Sequence, residues 1–68
     1  MDDDKIKEKE EYHRILVATS KSALNVYLQS EGIDPTVIEY QKKLVKMNER
    51  MLSAFYRENG MDENGKSL

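Results

Sequence analysis

The stretch Gly32-Ile33-Asp34-Pro35 constrains this chain more than any other, because it stops one helix and starts another with almost no loop between. Leu28, Gly32 and Ile33 have the spacing of a Schellman stop, in which a left-handed glycine closes the helix and the apolar residues on either side touch. Asp34 then suits an N-cap. Pro35 suits the first helical position, where its fixed φ helps and its missing N–H is no loss, and Ile33 and Ile38 bracket the start as a hydrophobic staple. So short a connection makes antiparallel neighbours of the helices it joins, and a turn centred near Ile33 sets Tyr27 against Ile38, Leu24 against Gln41, Leu16 and Val17 against Asn48, and the small run Ala18-Thr19-Ser20 with Ser22-Ala23 against Leu44, Val45 and Met47. The expected fold class is therefore all-α, a two-helix antiparallel hairpin.

The first helix is expected over about 4–30, with acidic residues in its opening turns that suit the positive end of the dipole. Residues 2 to 11 hold one apolar side chain, Ile6, so this N-terminal third is expected to fray. From Tyr12 onward the pattern changes. At about 100° per residue, Tyr12, Ile15, Leu16, Val17, Ala23, Leu24, Val26, Tyr27 and Leu28 spread over an arc of roughly 200°. One partner helix cannot cover that arc.

The second helix is expected over about 35–59 and is more regular. Val37, Gln41, Leu44, Asn48, Met51 and Phe55 alternate at steps of four and three, which makes a heptad seam. Ile38, Val45 and Leu52 flank it on one side, and Tyr40, Met47 and Ala54 on the other. A two-stranded coiled coil carries charge at those flanks, so this wide face belongs in a bundle of three or more helices. Asn59-Gly60 marks the helix end, with Met61 placed to fold back on Tyr56 in a second Schellman stop.

Length points the same way. A chain of 68 residues has room for one domain, and single cores of this size supply only a few kcal/mol of net stability. There is no cysteine to staple the fold, and one histidine, His13, cannot build a zinc site. Oligomerisation is the remaining usual support, and the expected functional unit is a homo-oligomeric bundle, in its simplest form a dimeric four-helix bundle. The expected interface residues are Leu16 and Leu24 of the first helix with Tyr40, Gln41, Leu44, Met47, Asn48, Met51 and Phe55 of the second. Residues 1–5, whose Asp2-Asp3-Asp4-Lys5 resembles a shortened protease tag, read as a disordered or vector-derived N-terminus. Residues 6–61 read as the hairpin domain and 62–68 as a disordered tail.

Gln41 and Asn48 stand in the middle of an apolar seam, where a buried amide without partners costs a few kcal/mol. Such residues often fix register and oligomeric state, which is the reading favoured for them. An alternative gives them, with Thr19, Ser20 and His13, a polar pocket between protomers that binds a small ligand or nucleotide. Lys42, Lys43, Lys46 and Arg50 make a basic stripe on the outer face of the second helix and are the alternative nucleic-acid contacts, diluted by Glu39, Glu49 and Glu58. The segment from Leu28 to Val37 resembles the turn of a DNA-binding helix-turn-helix, although that motif has a small residue where Leu28 stands.

No nucleophile, base or oxyanion donor is spaced to act on His13, so no catalytic residues, metal or cofactor are assigned, and no enzyme activity is expected. Charged residues make up 35% of the chain and the formal net charge is −2, which favours neither a nucleic acid nor an anionic surface as partner. No apolar run approaches a membrane span, and a cytoplasmic location is expected. The size and the oligomer-forming faces are similar to those of small accessory proteins that phages, plasmids and bacilli encode as regulators or inhibitors. The expected function is non-enzymatic binding, with a second copy and one other protein as partners.

Overall fold

The computed structural model describes residues 3–67. It contains α1 (Asp3–Gln29) and α2 (Pro35–Glu58), packed against each other as an antiparallel hairpin about 47 Å long. Helix α1 starts at Asp3 and not after residue 5, with Asp3 and Asp4 in its first turn, where their carboxylates complement the helix dipole. From Asp3 on, the segment expected to fray is helical, and Ile6 and Glu10 are half-buried. The expectation of a disordered or vector-derived start also covers Met1 and Asp2, which lie outside the described residues.

The turn is built differently from a Schellman stop. Gly32 is left-handed, with φ +79°, but neither its N–H nor that of Ile33 reaches back to the last carbonyls of α1. Ser30 takes over that task. Its N–H donates to the Tyr27 carbonyl at 3.3 Å and its hydroxyl to the Val26 carbonyl at 2.7 Å, so the last turn tightens and the helix ends at Gln29. Leu28 is left exposed. The start of α2 follows the sequence: the Asp34 carboxylate accepts from the Thr36 N–H at 2.8 Å, its carbonyl accepts from Val37 and Ile38, and Pro35 occupies the first helical position.

The stop at Gly60 is of the full Schellman type. Gly60 has φ +68°, the Met61 N–H donates to the Tyr56 carbonyl at 2.8 Å, and the Gly60 N–H donates to the Arg57 carbonyl at 3.1 Å. Beyond it, where the sequence suggests a disordered tail, Met61 and Ser67 pair across a tight turn. The Asp62 carboxylate accepts from the N–H groups of Asn64 and Lys66, both at 2.9 Å, and the Asp62 N–H donates to the Lys66 carbonyl at 2.7 Å. A short polar segment is held this way because one aspartate replaces several absent backbone partners. The part of the tail assignment that concerns Leu68 lies outside the described residues.

The interior is thin. Among the described residues the buried apolar side chains are Val45, Phe55 and Tyr56, and none of the large ones is completely covered. Three polar residues, Ser20, Gln41 and Asn48, share that interior, while eight large apolar side chains stand exposed. Exposed apolar side chains in that number mark an interaction surface when they are contiguous.

Candidate interaction surface

The seam between the helices is held by two amides that address backbone. Gln41 Nε2 donates to the Ser20 carbonyl at 3.0 Å, and Asn48 Nδ2 donates to the Leu16 carbonyl at 3.3 Å. Both residues are buried between the helices of one chain, and the bonded N–H of each reaches a backbone carbonyl of α1. Asn48 meets Leu16, the expected neighbour. Gln41 meets Ser20, one turn from the Leu24 expected from the turn geometry. Of the small run at 18–23, Ser20 alone is fully buried, its hydroxyl donating to the Val17 carbonyl at 2.9 Å, while Ala18, Thr19 and Ser22 are exposed.

At the open end of the hairpin the rings gather. Phe55 lies 5.4 Å from His13 and 5.8 Å from Tyr56, centroid to centroid, and Tyr12 stands edge-on to His13 at 5.6 Å. The Tyr56 hydroxyl accepts from Arg14 Nε at 3.2 Å, and Glu10 lies 3.9 Å from the same guanidinium. The Tyr56 hydrogen bond, and after it the Tyr56 and Glu10 charges, raise the Arg14 pKa above its ordinary value, so the group stays charged at any working pH. Gly65 of the tail closes over this cluster. With φ +81°, it has so little room that an added Cβ would lie 3.1 Å from the Tyr56 ring and 2.9 Å from Glu10 Oε2. His13 Nδ1 is buried and, among the described residues, has no hydrogen-bond partner. Among the described residues no three histidine or acidic side chains gather as a metal site.

The two flanks of the hairpin differ in kind. In α1 the seam direction is given by Leu16 and Ser20, and Tyr12, Ile15, Thr19, Ala23 and Val26 follow it at helical steps displaced to one side. In α2 the seam runs through Gln41 and Asn48, and Val37, Tyr40, Leu44, Met47, Met51 and Ala54 are displaced to one side of it. Antiparallel packing brings these two displacements to the same flank. A shallow groove of about 440 Å³ joins Tyr12 and His13 to Met51, Ala54 and Phe55 there. The opposite flank is crossed by the Lys21–Glu49 ion pair, at 3.4 Å, and carries the groove of Leu24, Val45, Lys42 and Lys46. Seven of the eight exposed large apolar side chains, Tyr12, Ile15, Val26, Val37, Tyr40, Met47 and Met51, therefore belong to one face. Leu28 is on the other.

The expected interface residues divide accordingly. Gln41, Asn48 and Phe55 are inside the hairpin, Leu16, Leu24 and Leu44 are half-buried, and Tyr40, Met47 and Met51 stand exposed on the apolar face, Tyr40 at 68%. The four that complete the face, Tyr12, Ile15, Val26 and Val37, carry the same helical spacing in the sequence; only the side on which the second helix sits distinguishes them. Lys42, Lys43, Lys46 and Arg50 are all exposed, and Lys42 is 3.8 Å from Glu39. No helix among the described residues is long and apolar enough to cross a membrane. No family model, curated protein or solved structure matches the chain.

Proposed function

We propose that the protein is a small non-enzymatic interaction protein that works as a homo-oligomer, in its simplest form a dimer whose hairpins close their apolar faces into a four-helix bundle. The bundle would bind another macromolecule as an inhibitor, adaptor or assembly factor through the polar surface left outside. The observation that carries this reading is the single face of seven exposed apolar side chains. Together they leave on the order of 800 Å² uncovered, about one partner's share of a stable protein–protein interface. A patch of that size on a hairpin with so thin a core favours association over a free monomer.

Sedimentation over a concentration series is expected to give a dimer at micromolar chain concentration. Met47→Glu, which puts a carboxylate in the middle of the face, should weaken self-association at least about tenfold, equivalent to ~1.4 kcal/mol. A folded, purely monomeric wild-type protein at those concentrations would overturn the reading. The external partner can be sought by cross-linking in the native host through the exposed lysines. A salt-dependent affinity for mixed DNA or RNA, lost in Lys42→Gln/Lys46→Gln, would replace the protein partner by a nucleic acid.

A further inference from the structure

We propose that the second copy lies with its turn at the same end of the bundle as the first, so that the two-fold axis runs along the helices and each α1 packs on its partner's α2. This rests on the dimer reading above and goes beyond it in fixing which helices meet. Two independent features of the apolar face select this arrangement over the one with turns at opposite ends.

The first is side-chain size. The α1 half of the face is small in its middle, where Thr19 and Ala23 lie between Ile15 and Val26, and the α2 half is bulky from Tyr40 through Leu44 and Met47 to Met51, with Ala54 beyond them. When both turns are at one end, the register inside a hairpin, Gln41 beside Ser20 and Asn48 beside Leu16, is repeated between copies. The partner's Tyr40 and Leu44 then come level with Ala23 and Thr19. Large side chains meet small ones at both contacts, and the helices keep one spacing. With turns at opposite ends, α2 faces α2 and α1 faces α1: Leu44 meets the partner's Met47 while Thr19 meets the partner's Thr19. One side of the bundle is then held apart and the other is left underfilled.

The second feature is charge along the border of the face. On α2 it is basic, with Lys43, Arg50 and Arg57 repeating every seven residues; on the N-terminal half of α1 it is acidic, with Asp4, Glu8 and Glu11. All six are exposed, and among the described residues none forms an ion pair within its own hairpin. With turns at the same end, Glu8 and Glu11 come alongside the partner's Arg50 and Arg57. With turns at opposite ends, Lys43 comes alongside the partner's Arg50, and symmetry repeats that like-charge contact.

The chain has no cysteine, so a single spin label can be placed in the exposed turn through Glu31→Cys and the label-to-label distance read by pulsed dipolar spectroscopy. The proposed arrangement sets the two turns about one interhelical spacing apart, so labels should lie about 15–30 Å from each other. The alternative separates them by most of the 47 Å length of the hairpin, and a distance of that size in a protein that sediments as a dimer would overturn the arrangement while leaving the dimer intact. A monomer by sedimentation would overturn both. The charge test has opposite signs in the two cases. Arg50→Glu should weaken the dimer about three- to tenfold, and Glu11→Arg added to it should restore affinity, if opposite charges meet across the border. A dimer that is unchanged or tighter in Arg50→Glu refutes the proposal.

Discussion

The two ends of the hairpin each carry a left-handed glycine just past a helix, yet only one of them is built into the core. At the turn, Gly32 closes no backbone hydrogen bond to α1, and from Gln29 to Val37 every side chain but Ile33 is exposed. At the open end, Gly60 has both Schellman hydrogen bonds, and the chain beyond it returns to lie on Tyr56, which at 3% is the most buried of the core residues. The turn is specified by local chemistry in a few consecutive residues. The open end is specified by side chains more than forty positions apart, such as Arg14 and Tyr56. The open end, where fraying would be expected, therefore carries two of the three buried apolar side chains among the described residues, Phe55 and Tyr56.

Substitutions at each end can break or sharpen this contrast, with stability measured by denaturant at one fixed chain concentration because association adds to it. The largest effect is expected for Tyr56→Ala, at about 3–5 kcal/mol, since it empties the centre of the open-end cluster. Tyr56→Phe should cost a small fraction of that. If Tyr56→Ala cost no more than a change at exposed Val37, the two ends would be equivalent. Gly65→Val comes next, at about 2 kcal/mol, through positive φ and crowding against Tyr56 and Glu10. Faster amide exchange at Met61 and Asp62 should accompany it.

Gly32→Ala and Gly60→Ala form a matched pair. An added Cβ meets nothing within 4 Å at either site, so each should cost about 1–2 kcal/mol from backbone strain alone. Equal costs are expected, because alanine keeps every backbone N–H at both sites; an excess at Gly60 would mean that its two Schellman hydrogen bonds hold φ positive more firmly than the turn holds Gly32. Asp34→Ala should have the smallest effect, about 1 kcal/mol, because it removes one exposed cap. A larger loss there than at Gly65 would reverse the order of the two ends.

Most of what depends on neighbouring residues was legible in the sequence: both helices, the cap at Asp34, the proline at the first helical position, and the stop at Gly60; the exception is the Schellman stop expected at Gly32, because Ser30 reaches the last carbonyls of α1 first. Register was legible to within a turn, since Asn48 meets Leu16 as expected and Gln41 meets Ser20 in place of Leu24. The partners of the two amides were not, because they are backbone carbonyls, which every residue supplies and no sequence pattern marks. The seating of Gly65 on Tyr56 escaped for a different reason. It depends on a tail and a ring brought together only after the helix stop reverses the chain. The apolar arc of α1 was visible in full, but the part of it that α2 leaves uncovered depends on which side α2 occupies.

The carbonyl acceptors at Leu16 and Ser20 also make the seam heritable in an unequal way. Replacing either of those residues changes local fit but keeps the carbonyl, so no substitution in α1 can remove an acceptor, and none can compensate for the loss of Gln41 or Asn48. In a genetic screen, lesions that break the seam's hydrogen bonds should map to positions 41 and 48 alone, and reciprocal suppressors at 16 and 20 should not arise. As this chain diverges, α1 is free to drift at those two sites within the limits of size, while α2 keeps its amides.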